Sequence, residues 1–145
     1  MLTDNELRQI VVEALLKVYR SHRRLGKRGL EIVGINPLDE NSLLVDHMAE
    51  EIIIKTLKEH RVPITIVSEE HPTIELGIDF LAVLDGLDGT NRYIARIRDG
   101  DENARYGTML GIFRGLYPRY EDYIVSGIME HPTRRLVIAS RGKGI

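Results

Sequence analysis

Apolar residues recur at helical spacing in the first part of the chain and in short runs through the rest. Leu7, Ile10, Val11, Ala14, Leu15 and Val18 share one face of a 3.6-residue period. Thr3-Asp4-Asn5-Glu6 precedes them with the spacing of a capping box, in which each end satisfies a free backbone donor of the first turn. Gly34 to Asn41, with Pro37 and Asp39, reads as a loop. A second helix is expected from about Ser42 to His60, burying Leu44, Val45, Met48, Ile52, Ile53 and Leu57. The period then changes. Pro63 to Val67 is short and β-branched, and Phe80 to Leu84 is a continuous apolar run suited to a strand buried on both faces. Asp99 to Arg105 is a polar loop, and Tyr106–Phe113, Tyr123–Met129 and Arg135–Ala139 predict three further strands. Two long helices followed by five strands predict an α+β fold, with the helices packed on one face of a largely antiparallel sheet.

Composition narrows the function classes. A chain of 145 residues fits one domain, and 43% hydrophobic with 29% charged residues is globular rather than disordered. A formal net charge of -2 argues against a nucleic-acid partner, so the cluster Arg20, Arg23, Arg24, Lys27 and Arg28 reads as a solvated surface near a helix C-terminus. The absence of cysteine removes disulfides, thiolate metal sites and cysteine nucleophiles. The acidic, polar N-terminus is not a signal peptide, and no apolar stretch approaches the roughly 18 residues that span a bilayer. A soluble cytoplasmic protein without a membrane partner is expected. The stop at Arg141-Gly142-Lys143-Gly144-Ile145, just after a strand, is what a fragment or half-molecule would show.

Chemistry concentrates in Asp85-Gly86-Leu87-Asp88-Gly89-Thr90, directly after the apolar run. Two carboxylates three residues apart at a strand end converge on one small volume if the chain turns there, and like charges held that close need a cation or a shared proton. Asp-Gly is also a common hairpin turn, so the segment could be turns only. Ser68-Glu69-Glu70 ends the preceding strand in the same way. If the two strands are parallel neighbours, both sets of carboxylates emerge at one sheet edge. Oxygen donors favour a hard cation, Mg²⁺ before Zn²⁺. Gly89 and Thr90 offer unhindered N–H groups for a phosphate. Asp46, in the first turn of the second helix, suits the positive end of the helix dipole as well as a cation. The five histidines show no paired ligand spacing and read as surface or core residues, with His71 alone expected near the site.

Val67-Ser68-Glu69-Glu70 followed by Leu84-Asp85-Gly86-Leu87-Asp88-Gly89-Thr90 resembles the inositol monophosphatase / fructose-1,6-bisphosphatase superfamily, whose signature is a Glu-Glu pair and then Asp-Pro-Ile-Asp-Gly-Thr. Asn36-Pro37 through Asp46 and Glu50-Glu51, and Gly127-Ile128-Met129 through Lys143-Gly144, resemble further family segments in order, closest to archaeal-type members. The resemblance implies residues 1–145 as the N-terminal metal- and phosphate-binding half of the layered αβαβα fold, without the C-terminal half. It implies Mg²⁺-dependent hydrolysis of a sugar or inositol phosphate monoester, with two or three ions that Mn²⁺ could replace. Glu69 would ligate the first ion and orient water with Thr90. Asp85 would bridge two ions, the Leu87 carbonyl would complete the first site, and Asp88 would hold the second. Asp46 would lie beside a weaker ion, and Asp88, Gly89 and Thr90 would hold the phosphate. Gly86 replaces the family proline, which should loosen the turn, and Arg92 replaces a usual asparagine. The partner is expected to be a second copy or a complementing C-terminal half. The alternative is a non-catalytic half-molecule that binds metal or phosphate.

Overall fold

In the computed structural model, which describes all residues from Met1 to Ile145, helix α1 (Asp4–Leu25) starts at the expected cap. The Glu6 N–H donates to the Thr3 hydroxyl at 3.2 Å, and the Thr3 N–H donates to the Glu6 carboxylate at 2.7 Å. The six apolar residues of its stripe are all buried. A short 3₁₀ turn, Gly26–Leu30, leads into the first departure from expectation. Gly34 to Asn41 is not simply a loop. Strands β1 (Ile32–Ile35) and β2 (Asn41–Leu43) form an antiparallel hairpin. Its tip is organised by Asn36, whose Oδ1 accepts from the N–H groups of Leu38 and Glu40 at 3.0 Å each, with Asp39 in the left-handed region.

Helix α2 (Leu44–Glu59) is close to its expected span, but its buried face is turned. Val45, Asp46, Ala49, Glu50, Ile53, Ile54 and Leu57 point inward, while Leu44, Met48 and Ile52 are only half-buried. A reading that keeps carboxylates outside cannot find this face, because Asp46 and Glu50 lie on it.

The main sheet runs in the order β4 (Ile74–Glu75), β3 (Ile64–Val67), β5 (Phe80–Asp88), β6 (Gly107–Arg114), β7 (Tyr123–Glu130), β8 (Arg135–Ser140). Every pairing is antiparallel except β3 with β5, which is parallel with Val67 opposite Val83. Both long helices cover one face, where Leu7, Val11, Leu15, Ile53 and Leu57 meet Phe80, Ala82, Leu84, Ile112 and Val125 in one apolar core. The other face is open, so β5 is not buried on both sides: Val67, Val83, Met109 and Ile128 are exposed. A short helix, α3 (Thr90–Ile97), follows β5 and was not expected; its eight residues are too few to show a period. Tyr93 pins it, packing edge-to-face on Tyr106 at 5.0 Å in a small cluster with Val45 and Leu87. No helix is long and apolar enough to cross a membrane.

Candidate metal centre

Strand register gathers the acidic residues. Because β3 and β5 run parallel with Val67 beside Val83, Glu69 and Asp85 each lie two residues beyond that pair at the same sheet edge. The chain does not turn at Asp85. β5 continues to Asp88 through a bulge, in which Asp85 still pairs with Met109 and Asp88 pairs with Gly107. Thr108 therefore faces two residues, Gly86 and Leu87. Its hydroxyl donates to the Gly86 carbonyl at 2.8 Å and lies 2.9 Å from His131 Nε2. With the single hydroxyl proton given to Gly86, His131 Nε2–H must be the donor to Thr108. The Asp85 carboxylate accepts from the Leu87 N–H at 3.1 Å, across the same bulge. After the bulge, Gly89 takes a left-handed φ of 89° and caps α3, so the first turn of that helix follows Asp88 directly in the chain. Thr90 Oγ1 is 3.4 Å from the Leu87 carbonyl oxygen.

Helix α2 closes the site from the core side. Gly86 lacks a Cβ because there is no room for one: an added methyl would meet Asp46 Oδ1 at 2.5 Å, the Asp46 carbonyl at 2.7 Å and Glu50 Cγ at 2.8 Å. The expected loosened turn is thus replaced by a tight helix-to-strand contact. Glu70 points away from solvent and accepts from Asn36 Nδ2 at 3.1 Å and from the Ser42 hydroxyl. Glu69, Asp88 and Thr90 remain exposed, at the mouth of the site.

Crowded carboxylates change one another's chemistry. Burial, then the charges of Glu70, Glu50, Asp85 and Glu69, push the Asp46 carboxyl up to about 8. Burial raises Asp85 to about 6, against the Leu87 N–H and with help from Glu69, Asp88 and Glu50. Glu50 is raised by burial, with hydrogen bonds from His71 and Ser68 opposing. Asp46 Oδ1 and Glu50 Oε1 are buried without any hydrogen-bond partner. Buried acceptors without donors, in a set of oxygen atoms only, fit a hard divalent cation such as Mg²⁺. Sequence reasoning placed Glu70 in the acidic pair at this edge but gave it no role, and it did not single out Glu50, Asn36 or Ser42 as site residues. For Glu50 the available signal was its position four residues after Asp46, one helical turn on.

The exposed mouth borders an open groove of about 530 Å³. Pro37 and Leu38 of the hairpin, Glu69, Asp85, Met109 and Ile128 all line it.

A curated protein of Thermococcus kodakarensis named fructose-1,6-bisphosphatase/inositol-1-monophosphatase is 35% identical over 120 residues, covering 81% of this chain and 41% of that protein. A fructose-1,6-bisphosphatase of Pyrococcus furiosus is 33% identical over 69 residues, 48% of this chain and 26% of its own length. Among solved structures, a Pyrococcus horikoshii protein described as having similarities to inositol-1 monophosphatase superposes with a TM-score of 0.74 at 26% identity, over 98% of this chain and 51% of that one. No protein-family model matches. The chain spans about half or less of the length of these relatives.

Proposed function

We propose, for a chain that matches the N-terminal half of the inositol monophosphatase / fructose-1,6-bisphosphatase superfamily, that residues 1–145 supply the metal- and phosphate-binding half of a cytoplasmic Mg²⁺-dependent phosphatase acting on a sugar or inositol phosphate monoester. The observation that carries this reading is Glu69, just past the end of β3, beside Asp85 on the parallel neighbour β5, over an Asp46 Oδ1 buried without a partner. Glu69, Asp85, Asp88 and the Leu87 carbonyl would hold the first ions, with Asp46 beside a weaker one. The bound ions would supply an acidified water and neutralise charge on the leaving oxygen. Glu69 and the Thr90 hydroxyl would orient that water. Asp88 and the N–H groups of Gly89 and Thr90, at the positive end of α3, would position the phosphate.

The exposed face of the sheet favours a complementing half or a second copy as partner. Phosphate release from inositol monophosphate and fructose 1,6-bisphosphate, with Mg²⁺, tests the reading on the chain alone and with a complementing C-terminal half. Asp85→Asn should lower turnover at least 100-fold on the scale of lost transition-state charge stabilisation, and undiminished turnover would remove Asp85 from the site. The second reading, a module that binds metal without turnover, is favoured by the tight Gly86 contact where the family has proline. Calorimetric Mg²⁺ binding with no phosphate release in either assay would select it.

A further inference from the structure

His47 and Glu51 stand one turn apart on α2, and His71 follows the Glu69-Glu70 pair in the segment after β3. Sequence spacing separates the two histidines, but the fold joins them. One ring nitrogen from each histidine and one Glu51 carboxylate oxygen lie within 4.8 Å of one another. His47 Nε2 is 3.0 Å from Glu51 Oε1, and the imidazole rings stack 4.6 Å apart at 24°.

A second observation separates this cluster from a chance surface grouping. His71 Nδ1 lies 2.8 Å from Oε2 of Glu50, whose side chain is fully buried and whose other oxygen has no partner. A buried carboxylate in that position holds the proton on Nδ1, which leaves the Nε2 lone pair free. Metal-bound histidines are oriented in this way by a carboxylate on their second nitrogen. A cleft of about 380 Å³ beside Glu51 and His71 has space for a water or anion as a further ligand.

Two imidazoles and one carboxylate form a borderline donor set, unlike the oxygen-only cluster around Asp85. The geometry points to a second metal site, in which His47, Glu51 and His71 bind one divalent cation of the zinc class and Glu50 orients His71. Such an ion ties helix α2 to the segment carrying Glu69 and Glu70, so it fixes where those carboxylates sit. The site stands independently of the phosphatase reading.

The test is titration of the metal-stripped 145-residue chain with Co²⁺ as the only transition metal, in excess Mg²⁺ to fill oxygen-only positions. Four- or five-coordinate Co²⁺ with nitrogen ligands absorbs strongly in the visible, whereas octahedral oxygen-bound Co²⁺ absorbs weakly. The wild-type chain should develop strong bands that saturate at one equivalent and disappear on adding Zn²⁺. His47→Ala and Glu51→Gln, both at accessible positions on α2, should weaken binding at least 100-fold while the circular dichroism spectrum is kept. Glu50→Gln should keep the bands with roughly 10–100-fold weaker affinity, the usual cost of losing an orienting carboxylate. Asp85→Asn should leave the bands intact. Absence of strong bands in the wild-type chain, or their persistence in His47→Ala, overturns the site.

Discussion

A methyl group at position 86 would stand inside contact distance of the Asp46 carboxylate, the Asp46 carbonyl and Glu50 Cγ at once. Two of these atoms belong to helix backbone or to a fully buried side chain, so they cannot swing aside. Gly86→Ala should therefore push α2 off β5 and destabilise the chain by about 1–3 kcal/mol, the range for overpacking a closed contact. Urea unfolding measures this, and an unchanged midpoint would mean α2 shifts without strain. The same substitution should weaken Mg²⁺ binding, because the residues displaced are Asp46 and Glu50. The glycine here belongs with the inward rotation of two carboxylates, a dependence that neither residue type reveals alone.

At the scale of elements, the bulge in β5 is held by a hydrogen-bonded chain from His131 through Thr108 to the Gly86 carbonyl. Thr108→Val removes a buried donor and acceptor together and should cost about 1–3 kcal/mol. It should also weaken Mg²⁺ binding more than Thr56→Val does, since Thr56 donates to Ile52 within α2, away from the bulge. Equal effects of the two on Mg²⁺ would show that the bulge needs no such support. His131 also brings a pH dependence. Burial, together with the neighbouring His22, lowers it to about 3, and burial alone lowers His22 to about 4. Unfolded, both titrate near 6.5, so below that pH the unfolded chain binds protons that the folded chain refuses. Their contribution to stability is present above about pH 6.5 and is lost as pH falls. Asp46 and Asp85, held high, act in the opposite direction. Comparing wild type with His131→Asn cancels the carboxylates. The gap in unfolding free energy should shrink by on the order of 1–2 kcal/mol from pH 7.5 to pH 5, and a constant gap would refute the assignment.

These elements also mark how far a sequence reading reaches. Helix α1 was legible because its stripe and capping box are local, and the acidic pairs were legible because each ends an apolar run. The bulge, the β1–β2 hairpin and the inward face of α2 were not. Each is fixed by partners distant in sequence: Thr108 for Gly86, Glu70 for Asn36 and Ser42, β5 for Asp46 and Glu50. His71 was expected near the site, but its pairing with His47 was missed for the same reason, since 23 intervening residues conceal a ring contact that only the fold creates.

At the scale of the whole molecule, the sheet has one face sealed by α1 and α2 and one face lined by Val67, Val83, Met109 and Ile128 across neighbouring strands β3, β5, β6 and β7. Contiguous apolar side chains on a soluble surface favour association. Phe80, Ala82 and Leu84 on the sealed face alternate with the exposed positions, so a charge at 83 should leave the core intact. Val83→Lys paired with Met109→Glu should keep the unfolding midpoint within about 0.5 kcal/mol, as ordinary surface substitutions do. The double variant should also shift the chain from dimer or larger species toward monomer in sedimentation experiments at micromolar concentration. The groove holding Glu69 and Asp85 opens onto this same face, so whatever covers Val83 and Met109 also closes the candidate centre from water. Mg²⁺ affinity should accordingly rise when a complementing half is added to the wild-type chain and should not rise for the double variant. A wild-type chain that is monomeric at all concentrations and indifferent to the added half would separate the acidic centre from any need for a partner.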